Sequence, residues 1–141
     1  MKKILLPIFI LIANSLFAIT YLPEALAFKT TLMQESPHKI QLEFDIAKDY
    51  AIYYEQIKIS TTNSSSVKLS APLMPPPILL HNEIIGDYKV YQNKVLISLP
   101  VTQTGNGQLT LKLSFQGCKT SSYCYPPIER ILHLNINPTN K

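Results

Sequence analysis

The chain has 141 residues, 13 of them basic and 9 acidic, for a formal charge of +4. That length suits one domain with a single hydrophobic core. The lysines are scattered rather than gathered in a stripe, so the charge is no argument for nucleic acid.

Met1-Lys2-Lys3 leads into the apolar run ILLPIFILIANSLFAI. A short positive segment before an apolar run is the pattern of a secretory signal peptide. Ala13 and Ser15 suit cleavage after Ser15, and Ala18 offers a second site. The competing reading is an uncleaved anchor. Pro7 and Asn14 interrupt the run, however, and it is short of a comfortable span. No cysteine follows it to carry a lipid. The expectation is a signal peptide over residues 1–18 and one exported domain over 19–141, without stable membrane insertion after cleavage. Such a domain reaches an oxidising compartment, where two cysteines can form a disulfide.

Beyond the leader, PEALAF offers one helical turn. HKIQLEFDIA alternates Ile40, Leu42, Phe44 and Ile46 with polar neighbours, the period of a half-buried strand. AIYYEQIKIS and YKVYQNKVLISLPV are rich in β-branched and aromatic residues. In the second, Gln92-Asn93 reads as a tight turn between two strands. QLTLKLSF places Leu109, Leu111, Leu113 and Phe115 on one face, and ERILHLNI alternates Leu132, Leu134 and Ile136. TNSSS, MPPP, TGNG and CYPP between these runs have turn chemistry, and NPTNK reads as a loose polar tail. About seven short strands predict an all-β, two-sheet sandwich.

Both cysteines lie in one stretch, FQGCKTSSYCYPP. Cys118 and Cys124 lack the C-x-x-C spacing of thioredoxin-like motifs, and no helix follows to lower a thiol pKa. Gln116-Gly117 begins a turn, so the pair sits at the ends of a short loop joining two strands. A staple here would close only about seven residues and stabilise by roughly 2.4 kcal/mol, near the low end for a disulfide. Spacing alone still puts a structural bond first, redox use second and metal last. A closed zinc site needs about four ligands, and only His38, His81 and His133 could join the thiols, none at motif spacing. No metal or cofactor is expected.

The residues around the pair change that order. Phe115, Gln116, Gly117, Cys118, Cys124, Tyr125, Pro126 and Pro127 resemble the signature of the N-terminal periplasmic domain of DsbD, the thiol:disulfide interchange protein. There, aromatic-Gln-Gly-Cys, five variable residues and Cys-Tyr-Pro-Pro recur. YLPEALAF, DYAIYYEQIKI and HNEIIGDYKVY resemble further stretches of the family in the same order, so the likeness covers the expected mature chain. The resemblance implies an immunoglobulin-like β-sandwich in the periplasm. It implies a Cys118/Cys124 couple cycling between dithiol and disulfide, with Cys124 forming mixed disulfides and Cys118 resolving them. It also implies partners. A thioredoxin-like domain, fed through a membrane reductase, donates electrons. Thioredoxin-fold clients, namely disulfide isomerases or cytochrome c maturation factors, accept them.

By the same resemblance Asn82, Glu83, Ile84, Ile85 and Gly86 form a cap loop over the sulfurs. The family has an aromatic pair where this chain has Ile84-Ile85. Aliphatic side chains exclude water too, but over less area than Phe; ordinary strand core is the competing reading of the two isoleucines. Tyr50 and Tyr53 fall where family aromatics flank the site, and Tyr125 belongs to the motif. An alternating pattern sends Tyr50 and Tyr53 to opposite faces, so only one is expected near the sulfurs. After Ile136 no membrane or thioredoxin-like domain follows, so a separately encoded membrane reductase is the expected donor. The competing readings are a non-catalytic immunoglobulin-like binding or assembly domain with a structural disulfide, and a remnant of a split relay.

Overall fold

The computed structural model describes residues 20–62, 67–103 and 107–137. The expected signal peptide, most of TNSSS and TGNG, and the end of the polar tail lie outside the described residues. The described chain opens with one helical turn, α1 (Glu24–Ala27), within PEALAF. Then follow β1 (Phe28–Ser36), β2 (Lys39–Ile46) and β3 (Tyr50–Tyr53). A 3-10 turn (Tyr54–Gln56) leads to β4 (Lys58–Thr61), β5 (Lys68–Leu69), β6 (Ile78–Asn82) and β7 (Gly86–Tyr91). The chain ends with β8 (Lys94–Gln103), β9 (Gly107–Phe115), β10 (Gly117–Lys119) and β11 (Ile128–Ile136).

Strand pairing is antiparallel throughout the described ladders. One sheet has the order β1-β2-β8-β5. The opposite side is β11-β9-β4, continued past Gln116 by β10-β3-β7-β6. β3, the 3-10 turn and β4 run beside β10 and β9, with Ile52 opposite Gly117 and Lys58 opposite Ser114. The result is the two-sheet sandwich that the alternating runs predict.

Those runs supply the core. Ile40, Leu42, Phe44 and Ile46 of β2 are buried, as are Leu109, Leu111, Leu113 and Phe115 of β9. Val95, Ile97, Leu99 and Val101 of β8 join them in one cluster. Each such side chain contributes roughly 1.5–3 kcal/mol on leaving water, so burial of these faces fixes the register.

Four expectations change. Gln116-Gly117 begins no turn: Gly117 opens β10, and Cys118 lies in that strand rather than at a loop end. AIYYEQIKIS is not one strand. The 3-10 turn carries exposed Glu55 and Gln56 around the bend where β9 gives way to β10. Strand propensity reports a pleated, half-buried surface and not its continuity. Gln92-Asn93 is a turn, but it closes no hairpin: β7 pairs with β3 and β6, whereas β8 pairs with β2 and β5. A tight two-residue turn of the I′ type needs left-handed backbone at both central positions, and here Asn93 (φ 62°) has it and Gln92 does not. The Asn93 carbonyl instead accepts a hydrogen bond from Ile46 N at 2.6 Å, tying the crossing to the other sheet. Finally, Ile84 and Ile85 are not strand core. They lie in the turn between β6 and β7, 92% and 59% exposed.

Candidate active site

Cys118 is the middle residue of β10, opposite Ala51 of β3. Its seat depends on Gly117. A Cβ at that position would stand 2.3 Å from Cζ of Phe28. Only glycine lets the strand lie this close to the ring. The chain then makes a small closed loop. Lys119 N donates to Tyr123 O at 2.7 Å, Ser122 N to Lys119 O at 3.1 Å, and Ser121 takes a left-handed φ of 58°. Thr120 N reaches across to Asp49 O at 2.7 Å. The loop brings Cys124 back opposite Cys118 as a bridge, and Tyr125 N donates to Gly117 O at 2.9 Å. The two cysteines are disulfide-bonded, with Cα atoms 4.0 Å apart.

The bond is asymmetric in exposure. Cys118 is 7% exposed, whereas Cys124 is open to solvent. Both border a cleft of about 200 Å³ whose walls include Tyr53, Leu80, Ile85 and Tyr88. A second groove of about 400 Å³ shares Tyr53, Ile85, Tyr88 and Cys124, but not Cys118, and extends to Leu79. A thiol at position 124 can therefore be approached from outside, while one at 118 is largely covered. Among the described residues no group of three His, Cys, Asp or Glu side chains is placed to hold a metal, and no histidine lines either cleft.

The expected cap residues divide. Asn82 starts the β6–β7 turn: its side-chain oxygen accepts from Ile84 N at 2.8 Å and Ile85 N at 3.3 Å, an Asx turn. Gly86 closes it at φ 78°, with open space where a Cβ would go, so conformation and not crowding calls for glycine. Ile85 is thereby turned to the cleft beside the sulfurs. Ile84 and Glu83 are exposed and line neither cleft.

Of the tyrosines, Tyr53 lines the cleft and Tyr50 does not. Tyr53 lies 5.7 Å from Tyr88, and burial, then the neighbouring Tyr88, raises its pKa. Tyr50 is buried behind the disulfide loop, 5.8 Å from Phe28 and 6.3 Å from Tyr125. Leu80, Tyr88 and Tyr123 escaped the sequence reading, as did the role of Phe28. The alternation of Tyr88 and Val90 with Asp87 and Lys89 carried a signal for Tyr88, whereas the run Ile78-Leu79-Leu80 carried none for Leu80, which the register sets opposite Tyr88. No local signal marks Phe28 as the floor under Gly117.

The family model for the N-terminal part of thiol:disulfide interchange protein DsbD matches residues 19–136. The chain belongs to the DsbD N-terminal family. DsbD of Yersinia pestis (strain Pestoides F) is 28% identical over 116 residues, 82% of this chain and 19% of that protein. DsbD of Pseudoalteromonas atlantica is 31% identical over 98 residues, 69% of this chain and 16% of that protein. The chain thus spans about a fifth of the length of the curated DsbD relatives it matches. The reduced DsbD N-terminal domain of Neisseria meningitidis superposes with a TM-score of 0.68 at 24% identity, over 81% of this chain and 89% of that one. The N-terminal periplasmic domain of ScsB from Proteus mirabilis gives 0.53 at 18%, over 78% of this chain and 51% of that one. These likenesses show the fold, the immunoglobulin-like sandwich of the DsbD N-terminal domain. Among the described residues no helix is long and apolar enough to cross a membrane.

Proposed function

We propose that this domain is a periplasmic thiol–disulfide exchange module that passes reducing equivalents to thioredoxin-fold clients. The observation that carries the reading is the asymmetric Cys118–Cys124 bond, one sulfur buried and the other open, in a cleft with aromatic and aliphatic walls. In the dithiol form the Cys124 thiolate attacks a client disulfide. A Cys124–client bond forms and the client's second sulfur leaves as a thiolate. Cys118, deprotonated, then attacks the Cys124 sulfur. The intramolecular disulfide forms, the client's first sulfur leaves as a thiolate, and two electrons have passed to the client. Neither step needs a cofactor. A donor dithiol restores the pair by the same chemistry in reverse; a thioredoxin-like domain fed by a membrane reductase fits that role.

Two further observations support this reading. The family is that of a thiol:disulfide interchange protein. A structural neighbour, 24% identical with a TM-score of 0.68 over 85% of this chain and 91% of that one, is the Neisseria meningitidis DsbD N-terminal domain in complex with the PilB N-terminal domain. That complex shows that the relative's domain binds another protein's domain, which supports a protein client here. Ile85, on its Asx-anchored turn, is the cap residue in this reading, and Tyr53 and Tyr125 belong to the surround.

A Cys118→Ala variant, expressed in the periplasm, should accumulate mixed disulfides through Cys124. Cys124→Ala should not. If neither variant traps a partner, or both trap the same ones, the exchange reading falls and a structural disulfide in a binding domain takes its place.

A further inference from the structure

The segment before β1 is bound to the back of the disulfide loop. Leu22 lies 28 positions before Tyr50 and 103 before Tyr125, yet both phenols hold its backbone, one at the N–H and one at the carbonyl. Leu22 N donates to the Tyr50 hydroxyl at 2.8 Å, and the Tyr125 hydroxyl donates to Leu22 O. One residue earlier, Tyr21 shares a hydrogen bond with Ser122 at 3.0 Å, and its ring packs 4.8 Å from that of Tyr123. The segment is itself anchored. Arg130 of β11 donates to the carbonyls of Phe28 and Glu24 and to the Thr30 hydroxyl, with its guanidinium over the Phe115 ring.

These contacts fall unequally on the two sulfurs. Cys118 sits in a paired strand, on a backbone backed by the Phe28 ring. Cys124 lies in the loop that Tyr21, Tyr50 and Tyr125 brace from behind. Once the disulfide is reduced, no sulfur link keeps Cys124 beside Cys118. The backbone bonds from Lys119 N to Tyr123 O and from Tyr125 N to Gly117 O, together with the phenolic brace behind them, must then supply the proximity that closes the bond again. Holding two reacting groups in place raises their effective concentration, because freedom lost beforehand is not lost during the step.

We propose that Tyr125 is a positioning residue of the redox couple: with Tyr50 it clamps the Leu22 backbone, and that clamp holds Cys124 within bonding reach of Cys118. The tyrosine that follows the second cysteine thus has a role distinct from walling the cleft. Burial, then the neighbouring Tyr50, pushes the Tyr125 pKa up to about 12, so its hydroxyl remains a donor at all ordinary pH values. The inference rests on the reading of the pair as a working couple, but its test does not need a client.

The test is the equilibrium of the purified domain with glutathione. Two glutathione thiols reduce the Cys118–Cys124 bond to the dithiol and leave as one glutathione disulfide. Tyr125→Phe keeps the ring and removes only the hydroxyl. It should make the intramolecular disulfide roughly two- to tenfold less favoured, the range of one lost hydrogen bond. Tyr91→Phe is the control. It removes a hydroxyl bound to Pro75 O, away from the loop, and should leave the equilibrium unchanged. An equilibrium for Tyr125→Phe equal to wild type overturns the proposal, as does an equal shift in both variants. If Tyr125→Phe does not fold, Tyr50→Phe, which removes the other half of the clamp on Leu22, decides by the same criterion. A failed client trap beside a shifted glutathione equilibrium would remove the exchange role and leave the positioning role standing.

Discussion

The backbone of Gly117 lies on the ring of Phe28, so close that a Cβ would meet Cζ at 2.3 Å and Cε2 at 2.5 Å. Phe28 cannot give way. It is fully buried, and the rings of Tyr50, Phe115 and Tyr125 stand edge-on around it at 5.6 to 5.8 Å. Gly117→Ala should therefore destabilise the fold by about 3 kcal/mol, the upper range for overpacking a dense core. Urea unfolding measures this directly. A variant as stable as wild type would show that β10 can shift without cost.

Ile85 and Ile84 are adjacent and have opposite surroundings. Ile85 borders both clefts that reach Cys124, and Ile84 borders neither. Ile85→Ala should speed reduction of the disulfide by a small thiol several-fold, and Ile84→Ala should leave the rate unchanged. Stopped-flow reduction with dithiothreitol reads both. Equal rates for all three proteins would remove Ile85 from the role of cap.

Asn82→Ala removes the side-chain acceptor that anchors the same turn through two backbone N–H groups. Loss of such a bond costs about 1 kcal/mol. The reduction rate should rise as in Ile85→Ala, because Ile85 is no longer held at the cleft. A normal rate with lowered stability would separate the turn from the cap.

Alkaline unfolding should trace to the phenols whose pKa values the fold raises. Burial, then Tyr54, pushes the Tyr91 pKa up to about 12, and Tyr125 reaches a similar value. A raised folded pKa means that the folded state holds its phenol proton more tightly than the unfolded chain does. The resulting stability is complete below the ordinary phenol pKa of 10.0, and it is lost as pH rises from there through about 12. Thermal melts across this window should show a steep fall, shallower in Tyr91→Phe. An unchanged slope in that variant would exclude Tyr91 as a contributor.

Reduction discriminates the exchange reading from a purely structural bond. The closed loop is short, so its bond restrains the unfolded chain by only roughly 2.4 kcal/mol. β10 keeps its ladder to β3, and the loop keeps its backbone bonds, without the sulfur link. The dithiol form should remain folded, with a modestly lowered melting temperature. Unfolding on reduction would favour a structural disulfide.

Much of the fold was legible in the sequence because burial imposes a period of two. HKIQLEFDIA and QLTLKLSF declared their inner faces, and those faces are the core. β1 was not legible. Its inward positions include Thr30, Gln34 and Ser36, which blur the alternation. β5 and β10, two and three residues long, are too short for any periodicity to register. Gln92-Asn93 was legible as a turn but not as a crossing, because local backbone chemistry does not say which sheet the next strand joins.

The residue pattern by itself determined an all-β chain with an alternating core and a cysteine pair in one short loop. Its resemblance to DsbD pointed to redox use of that pair. Only the tertiary structure decided that Cys118 is buried and Cys124 open, that Ile85 and not Ile84 meets the cleft, and that Tyr53 and not Tyr50 lines it. It also brought Leu22 to Tyr125 across 103 positions. The physical reason is that periodicity reports which face of a strand leaves water. Which distant side chains share a face depends on strand order and on the close approach of backbone to ring at Gly117, and neither is encoded within a local window.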